Sequence, residues 1–343
     1  MKFPGCTLAH LGELSFRRGL VRRPRDTKKP MKLFKTGGRS ISKTLKGCLG
    51  SAAIAATAIT LSSCGDKDKE ADGEGADGNA VLRFSAIPDK NTTGQAERFK
   101  PVADYLAKEL DVKVEFVPAS DYEASVVKFE NGDIQLAWFG GVSGVQARDA
   151  VEGAEALAAG VEDLAFKSYF IANTASGLEK SDEFPVAIAD MTFTYGSSGS
   201  TSGCIMPSHF IMENTGKNPL EFFSKKPGFS GAHDATALAV QDGTFQVGVL
   251  SYTTFDKMVE EGKIDPAKVK VIWETPPFAD YNFTAHPALN KTFGEGFVAK
   301  LKKVLLECDD AAVLKALDRS KMVEVTNETF TPIAEVMKKV KFD

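Results

Sequence analysis

Histidine is scarce in this chain, with four in 343 residues, and so are tryptophan, with two, and cysteine, with five. His209, His233 and His286 show no paired spacing with one another or with a cysteine, so a zinc-type metal site has no support and no cofactor is expected. A run long enough for a permanent membrane helix is missing as well. The apolar stretch Gly47 to Leu61 holds 15 residues, against the about 20 that a bilayer core requires. Cations are missing where a nucleic-acid partner would need them. Residues 1–63 hold 13 of the 42 Lys and Arg and only two of the 46 Asp and Glu, so the remainder carries 29 positive against 44 negative side chains, a net charge of about −15. Phosphate-backbone binding relies on clustered cations, which excludes nucleic acid. A small anion stays possible, because helix termini and hydroxyls act locally against a field screened beyond about 8 to 10 Å. Two further chemistries fail for want of one residue each: a Walker loop needs Lys where Cys204 stands, and G-x-S-x-G breaks at Ser200 in Gly196-Ser197-Ser198-Gly199-Ser200.

What the chain does have begins with an export signal. From Met31, a basic head (Lys32, Lys35, Arg39, Lys43, Lys46) precedes the apolar stretch and Leu61-Ser62-Ser63-Cys64, the three-part pattern of a lipoprotein signal with its lipobox. Cys64 is the expected lipidation site, anchoring the chain on the extracytoplasmic side of a membrane. Residues 1–30 carry a basic cluster of their own and read either as an upstream start ahead of Met31 or as a long head to the signal. Gly65 to Asn79, charged and glycine-rich, cannot bury surface and reads as a tether. Cys204 and Cys308 remain, with nothing to say whether they pair.

The folded part alternates strand and helix: a strand at Val81, a helix with Ala96, Phe99, Val102, Leu106 and Leu110 at helical spacing, a strand from Val112, a helix capped by Asp121, and a strand ending in Trp138-Phe139-Gly140-Gly141. After a charged connector the alternation resumes, which predicts an α/β protein of two lobes, each a mixed, mostly parallel sheet flanked by helices, with ligands outside the strand ends. The expected organisation is 1–63 extension and signal, 64–79 tether, 80–175 first lobe, 176–275 second lobe, and 276–343 a return to the first lobe ending in helices. Trp138 and Phe139 read equally as core or as pocket wall. At the centre stands Tyr195-Gly196-Ser197-Ser198-Gly199-Ser200-Thr201-Ser202-Gly203, between a short strand and a helical pattern (Ile205, Phe210, Ile211). Its hydroxyls and amides at a helix start predict an anion cradle, although Gly/Ser-rich runs are also ordinary loops. His233, just before a helix, either donates to a bound oxyanion or caps that helix.

Seven segments, IPDKNTTGQAERFKPVADYLAKEL, DIQLAWFGG, FKSYFIA, GSSGSTSGCIMP, FSGAHDA, FQVGVLSY and WETPPFADYNFT, resemble in order the solute-binding proteins of phosphate, phosphite and phosphonate ABC importers. The wording is nearest to a subgroup labelled selenate transporters. The resemblance implies a two-lobed periplasmic-binding fold of type II with two crossover strands. It also implies an oxyanion site made of Ser198, Ser200, Thr201, Ser202, Tyr122, Tyr169 and His233. Phosphonate members place acidic residues toward an aminoalkyl tail near Ser251 and Asp280, so Ser251 is a departure and Asp280 is retained.

The leading expectation is therefore a monomeric, lipid-anchored protein, not an enzyme, that captures a small tetrahedral oxyanion and delivers it to an ABC permease. Two other classes compete: a lipid-anchored sensory module, and a hydrolase with Ser200 or Ser202 as nucleophile and His233 as base, for which no residue orienting the histidine can be identified.

Overall fold

The computed structural model describes residues 80–90 and 93–340. The signal, Cys64 and the tether lie outside the described residues.

A first lobe is built from β1 (Val81–Ala86), α1 (Gln95–Leu110), β2 (Lys113–Phe116), α2 (Tyr122–Glu130), β3 (Leu136–Phe139), α3 (Gly141–Ala150) and β4 (Glu155–Gly160). The chain then crosses to a second lobe, with β5 (Ser168–Asn173), β6 (Phe193–Tyr195), α4 (Met206–Thr215), α5 (Pro219–Phe222), β7 (Gly228–Phe229), α6 (His233–Gln241), β8 (Val247–Ser251), α7 (Tyr252–Glu260) and β9 (Val269–Glu274). It returns through β10 (Asn282–Ala285) to α8 (Ala288–Phe293), α9 (Phe297–Leu306), α10 (Ala311–Leu317), β11 (Met322–Glu324) and α11 (Thr331–Met337). The first sheet has the order β11-β4-β10-β3-β1-β2 and the second β7-β6-β8-β5-β9.

Local chemistry sets the boundaries. Asp121 caps α2 by accepting the Ala124 N–H at 2.7 Å. Gly216, at φ 69°, ends α4 in the left-handed region that glycine enters without strain. Helix α1 turns Phe99, Val102, Leu106 and Leu110 inward, and Phe99 meets Phe84 edge-on at 5.8 Å, so helical spacing becomes core contact.

Both sheets are mixed. Strands β2, β1 and β3 run parallel, as do β7, β6 and β8, whereas β5 and β10, the strands that enter each lobe from the other, run antiparallel to their partners. Strand-helix alternation alone could not show this reversal, since it comes from the crossing. The lobe boundary also moves. Strand β5 pairs with β8 and β9 and so belongs to the second sheet, which puts the end of the first lobe before Ser168 rather than at 175.

The two crossings meet where Phe166 and Phe278 exchange backbone hydrogen bonds of 2.9 Å. Beside them Arg319 grips Asp163 through Nε (2.7 Å) and Nη2 (2.6 Å), a buried bidentate pair whose guanidinium lies 4.7 Å over the Tyr281 ring. Cys204 and Cys308 are both buried and free.

Candidate functional site

Helix starts converge between the lobes. The small-residue run leaves β6, turns at Gly199 and enters one turn of π-helix over Thr201–Ile205, closed by the Ile205 N–H on Ser200 O at 3.0 Å. Such turns widen a helix and are frequent at functional sites. Ser200 caps the turn by accepting the Gly203 N–H at 3.0 Å. A Cβ on Gly203 would lie 2.9 Å from Ser200 Oγ and 3.0 Å from His233 Cε1, so glycine at this position lets the histidine ring close on the turn. Pro207 falls in the first turn of α4, where its missing N–H costs nothing.

Across the cleft, the first amides of α3 are taken by the opposite side. Gly141 N–H donates to Asp280 Oδ1 at 2.9 Å, and Val142 N–H donates to Thr201 Oγ1 at 3.0 Å. The N–H of His233 donates to Asp89 O at 3.0 Å, and Ser168 Oγ donates to Ser202 O at 2.7 Å. The starts of α2, α3, α4, α6 and α7 are thus gathered around one spot, each bringing the positive end of a helix dipole. Helix starts and hydroxyls gathered in this way are neutral donors of the kind that suit an anion.

Two buried side chains flank the turn with a polar atom that has no hydrogen-bond partner: His233 Nε2 and Asp280 Oδ2, both on residues 1% exposed. His233 Nδ1 accepts the Ser251 N–H at 3.2 Å, which places the ring proton on Nε2 and makes that orphaned atom a donor. Burial pushes the imidazole pKa down to about 4, against the pull of Asp89, so the ring is neutral. Burial raises Asp280 to about 7, offset in part by the Gly141 N–H and the Thr201 and Ser202 hydroxyls. At neutral pH its Oδ2 can therefore either accept a hydrogen bond or donate one. Asp89 behaves oppositely: burial would raise it, but Arg98 and Lys90 outweigh that and hold it at about 2.

Of the residues expected here, Tyr122, Ser200, Thr201, Ser202, His233, Ser251 and Asp280 are brought together, all buried. Tyr122 packs on the turn, where a Cβ on Gly199 would lie 2.9 Å from the Tyr122 Cβ. Ser251 orients His233 through its amide, while its Oγ caps α7 and meets Thr253 Oγ1 at 2.9 Å. Two residues are not brought in. Ser198 is exposed. Tyr169 follows Ser168 on β5, and because Ser168 faces the site, strand alternation turns Tyr169 to the other face, where it packs on Phe255 and reaches Asp256 at 3.4 Å. Trp138 stacks on Tyr281 and Phe139 packs on Phe129, both as core side chains. Sequence reasoning missed Asp89, Ser168 and Tyr281, whose hydroxyl donates to Asp89 Oδ2 at 3.2 Å. Among the described residues no group of three or more His, Cys, Asp or Glu could hold a metal ion.

Residues 84–330 match the family model described as ABC transporter, phosphonate, periplasmic substrate-binding protein. The chain belongs to this family. A probable ABC transporter phosphite-binding protein of Prochlorococcus marinus is 33% identical over 274 residues, covering 76% of this chain and 90% of the relative. A phosphate-import protein of Mycolicibacterium smegmatis is 29% identical over 270 residues, 74% of this chain and 80% of that one. The solved Prochlorococcus structure, a complex with methylphosphonate, superposes with a TM-score of 0.71 over 76% of this chain and 97% of its own. A phosphonate-transporter binding component of Pseudomonas aeruginosa, 21% identical with a TM-score of 0.65 over 75% of this chain and 85% of that one, shares the fold. The phosphonate-binding family places the chain outside the cytoplasm.

Proposed function

We propose that this family member captures a small, proton-bearing phosphorus oxyanion, phosphite or a short alkylphosphonate such as methylphosphonate, and presents it to an ABC permease from a lipid anchor on Cys64. The observation that carries the reading is the pair of orphaned atoms flanking the Ser200–Gly203 turn. His233 Nε2–H offers a donor and Asp280 Oδ2 offers an acceptor, beside hydroxyls and helix starts. A phosphorus oxyanion that still carries a proton supplies both complements. The relatives' names, phosphite-binding and phosphate-import, point to the same ligand class, as does the methylphosphonate complex. Ser251 brings no charge to the site, so an aminoalkyl tail finds no ammonium partner there. The hydrolase alternative is weakened by the histidine itself, because the nitrogen that an orienting carboxylate would hold is taken by the Ser251 amide.

Calorimetry with methylphosphonate, phosphite, phosphate, sulfate and selenate tests the reading, with a phosphorus ligand expected to bind best. Thr201→Val should weaken that ligand by roughly 1 to 3 kcal/mol, the cost of removing the hydroxyl that accepts the Val142 N–H and bonds Asp280 beside the turn. Selenate at the top of the ranking, or an unchanged affinity in the variant, would refute it.

The anchor is tested separately. Cys64→Ala should abolish incorporation of a palmitate analogue during growth, and label retained by the variant would rule out lipidation at that residue.

A further inference from the structure

A groove of about 810 Å³ runs between α1 and α10 of the first lobe and α6 and α7 of the second. None of Ser200, Thr201, Ser202, His233 or Asp280 lines it. Its organising residue is Asp318, which ends α10 in the left-handed conformation at φ 56°. That backbone turn sets the carboxylate toward cations from both lobes. Oδ2 pairs with Lys90 and lies 3.9 Å from Arg98 Nη2, both in the first lobe, while Oδ1 pairs with Lys257 on α7 of the second. The Asp318 side chain is 13% exposed and that of Lys257 35%, so the pair is neither fully solvated nor fully desolvated.

Lys90 and Arg98 neutralise Asp318 within one lobe, whatever the other lobe does. Lys257 is different, because its partner is across the cleft. The Lys257–Asp318 pair forms only when the lobes are together, whereas in a separated state Lys257 returns to water at little cost. A contact made in one state and not in the other shifts the balance between them by its own free energy. The network also reaches the oxyanion cluster. Arg98 Nη1 donates to Asp89 at 2.7 Å, and the Asp89 carbonyl takes the backbone N–H of His233.

We infer that Lys257 and Asp318 form a latch across the cleft that sets how long the ligand-loaded, closed protein lasts before release. This rests on reading the chain as an oxyanion-capturing protein. Among the described residues, no hydrogen bond or ion pair links the Lys257 side chain to the oxyanion cluster, so it acts by positioning the lobes.

The test uses the full chain and methylphosphonate, with dissociation followed by stopped-flow displacement. Lys257→Met, which keeps most of the stem and removes the charge, should speed dissociation roughly five-fold, as expected for one partly exposed ion pair. Association should change little, the difference should vanish in about 1 M salt, and Lys257→Arg should restore the slow rate. A merely structural role would lower the unfolding temperature of the ligand-free protein, whereas the latch lowers only that of the loaded form. Unchanged dissociation, or equal loss of stability with and without ligand, overturns the latch alone. Failure of the wild-type protein to bind either methylphosphonate or phosphite overturns the functional reading and the latch with it.

Discussion

Asp280→Asn should invert the preference of the site, from oxyanions that carry a proton to oxyanions that carry none. In the wild-type protein Oδ1 is committed to the Gly141 N–H, and Oδ2 is the atom left over. With the pKa raised to about 7 by burial, that atom is an acceptor above neutrality and a donor below it. Sulfate and selenate have no proton to offer, so they need Asp280 protonated, and their affinity should fall about ten-fold per pH unit above about 7. A phosphonate or phosphite that brings its own proton donates it to the ionised form, and that charge-assisted hydrogen bond offsets the repulsion between the two anions. Asparagine keeps an acceptor for Gly141 and puts an amide N–H where Oδ2 was, a permanent donor. The ratio of methylphosphonate to sulfate affinity at pH 8 should then drop on the order of 100-fold, the equivalent of one charge-assisted hydrogen bond of about 2 to 3 kcal/mol. The pH dependence of sulfate binding should disappear with it. Calorimetry of both proteins between pH 6 and 9 decides the matter, and a sulfate affinity that ignores pH in the wild type would disprove the role given to Asp280.

Much of this site was legible because its chemistry is local. Ser200, Thr201 and Ser202 sit at a helix start that small residues and periodicity announce, and His233 stands just before another. What escaped was set by tertiary structure. Glu155–Gly160 is a strand half of which is alanine, and Asn282–Ala285 opens a stretch otherwise helical in pattern, so neither shows the β-branched alternation that marks a strand in sequence. Both owe their state to pairing with each other, a contact between segments more than 100 residues apart. Tyr169 and Ser168 are a sharper case. Which of two adjacent residues faces the ligand depends on register, and register is fixed by the pairing of Ser168 with Ser251 rather than by either residue's character. The same pairing brings the Ser251 amide beside His233 and so decides the tautomer.

A second consequence of burying Asp280 and His233 together concerns stability without ligand. Asp280 titrates at about 7 in the folded protein against an ordinary 3.8, and His233 at about 4 against 6.5. For Asp280 the folded state holds the extra proton, so its contribution is intact below 3.8 and lost as pH rises through 7. For His233 the unfolded state holds the extra proton, so its contribution is intact above 6.5 and lost as pH falls through 4. The shifts correspond to about 4 kcal/mol for Asp280 and about 3 kcal/mol for His233. Between about pH 4 and 6.5 the two slopes oppose and nearly cancel, since folded and unfolded chains then bind one proton each at this pair. Single substitutions should expose them. Relative to wild type, Asp280→Asn should gain stability as pH rises from 4 to 8, by up to about 4 kcal/mol, because the cost of a buried carboxylate is gone. His233→Asn, which keeps an acceptor for the Ser251 N–H, should compare better with wild type at pH 4.5 than at pH 7.5, whatever uniform packing loss it carries. Denaturant unfolding of the ligand-free proteins at four or five pH values measures both differences. A stability difference for Asp280→Asn that is the same at pH 4 and pH 8 would mean that its carboxyl titrates normally, and the donor-acceptor switch argued for the ligand would fall with it.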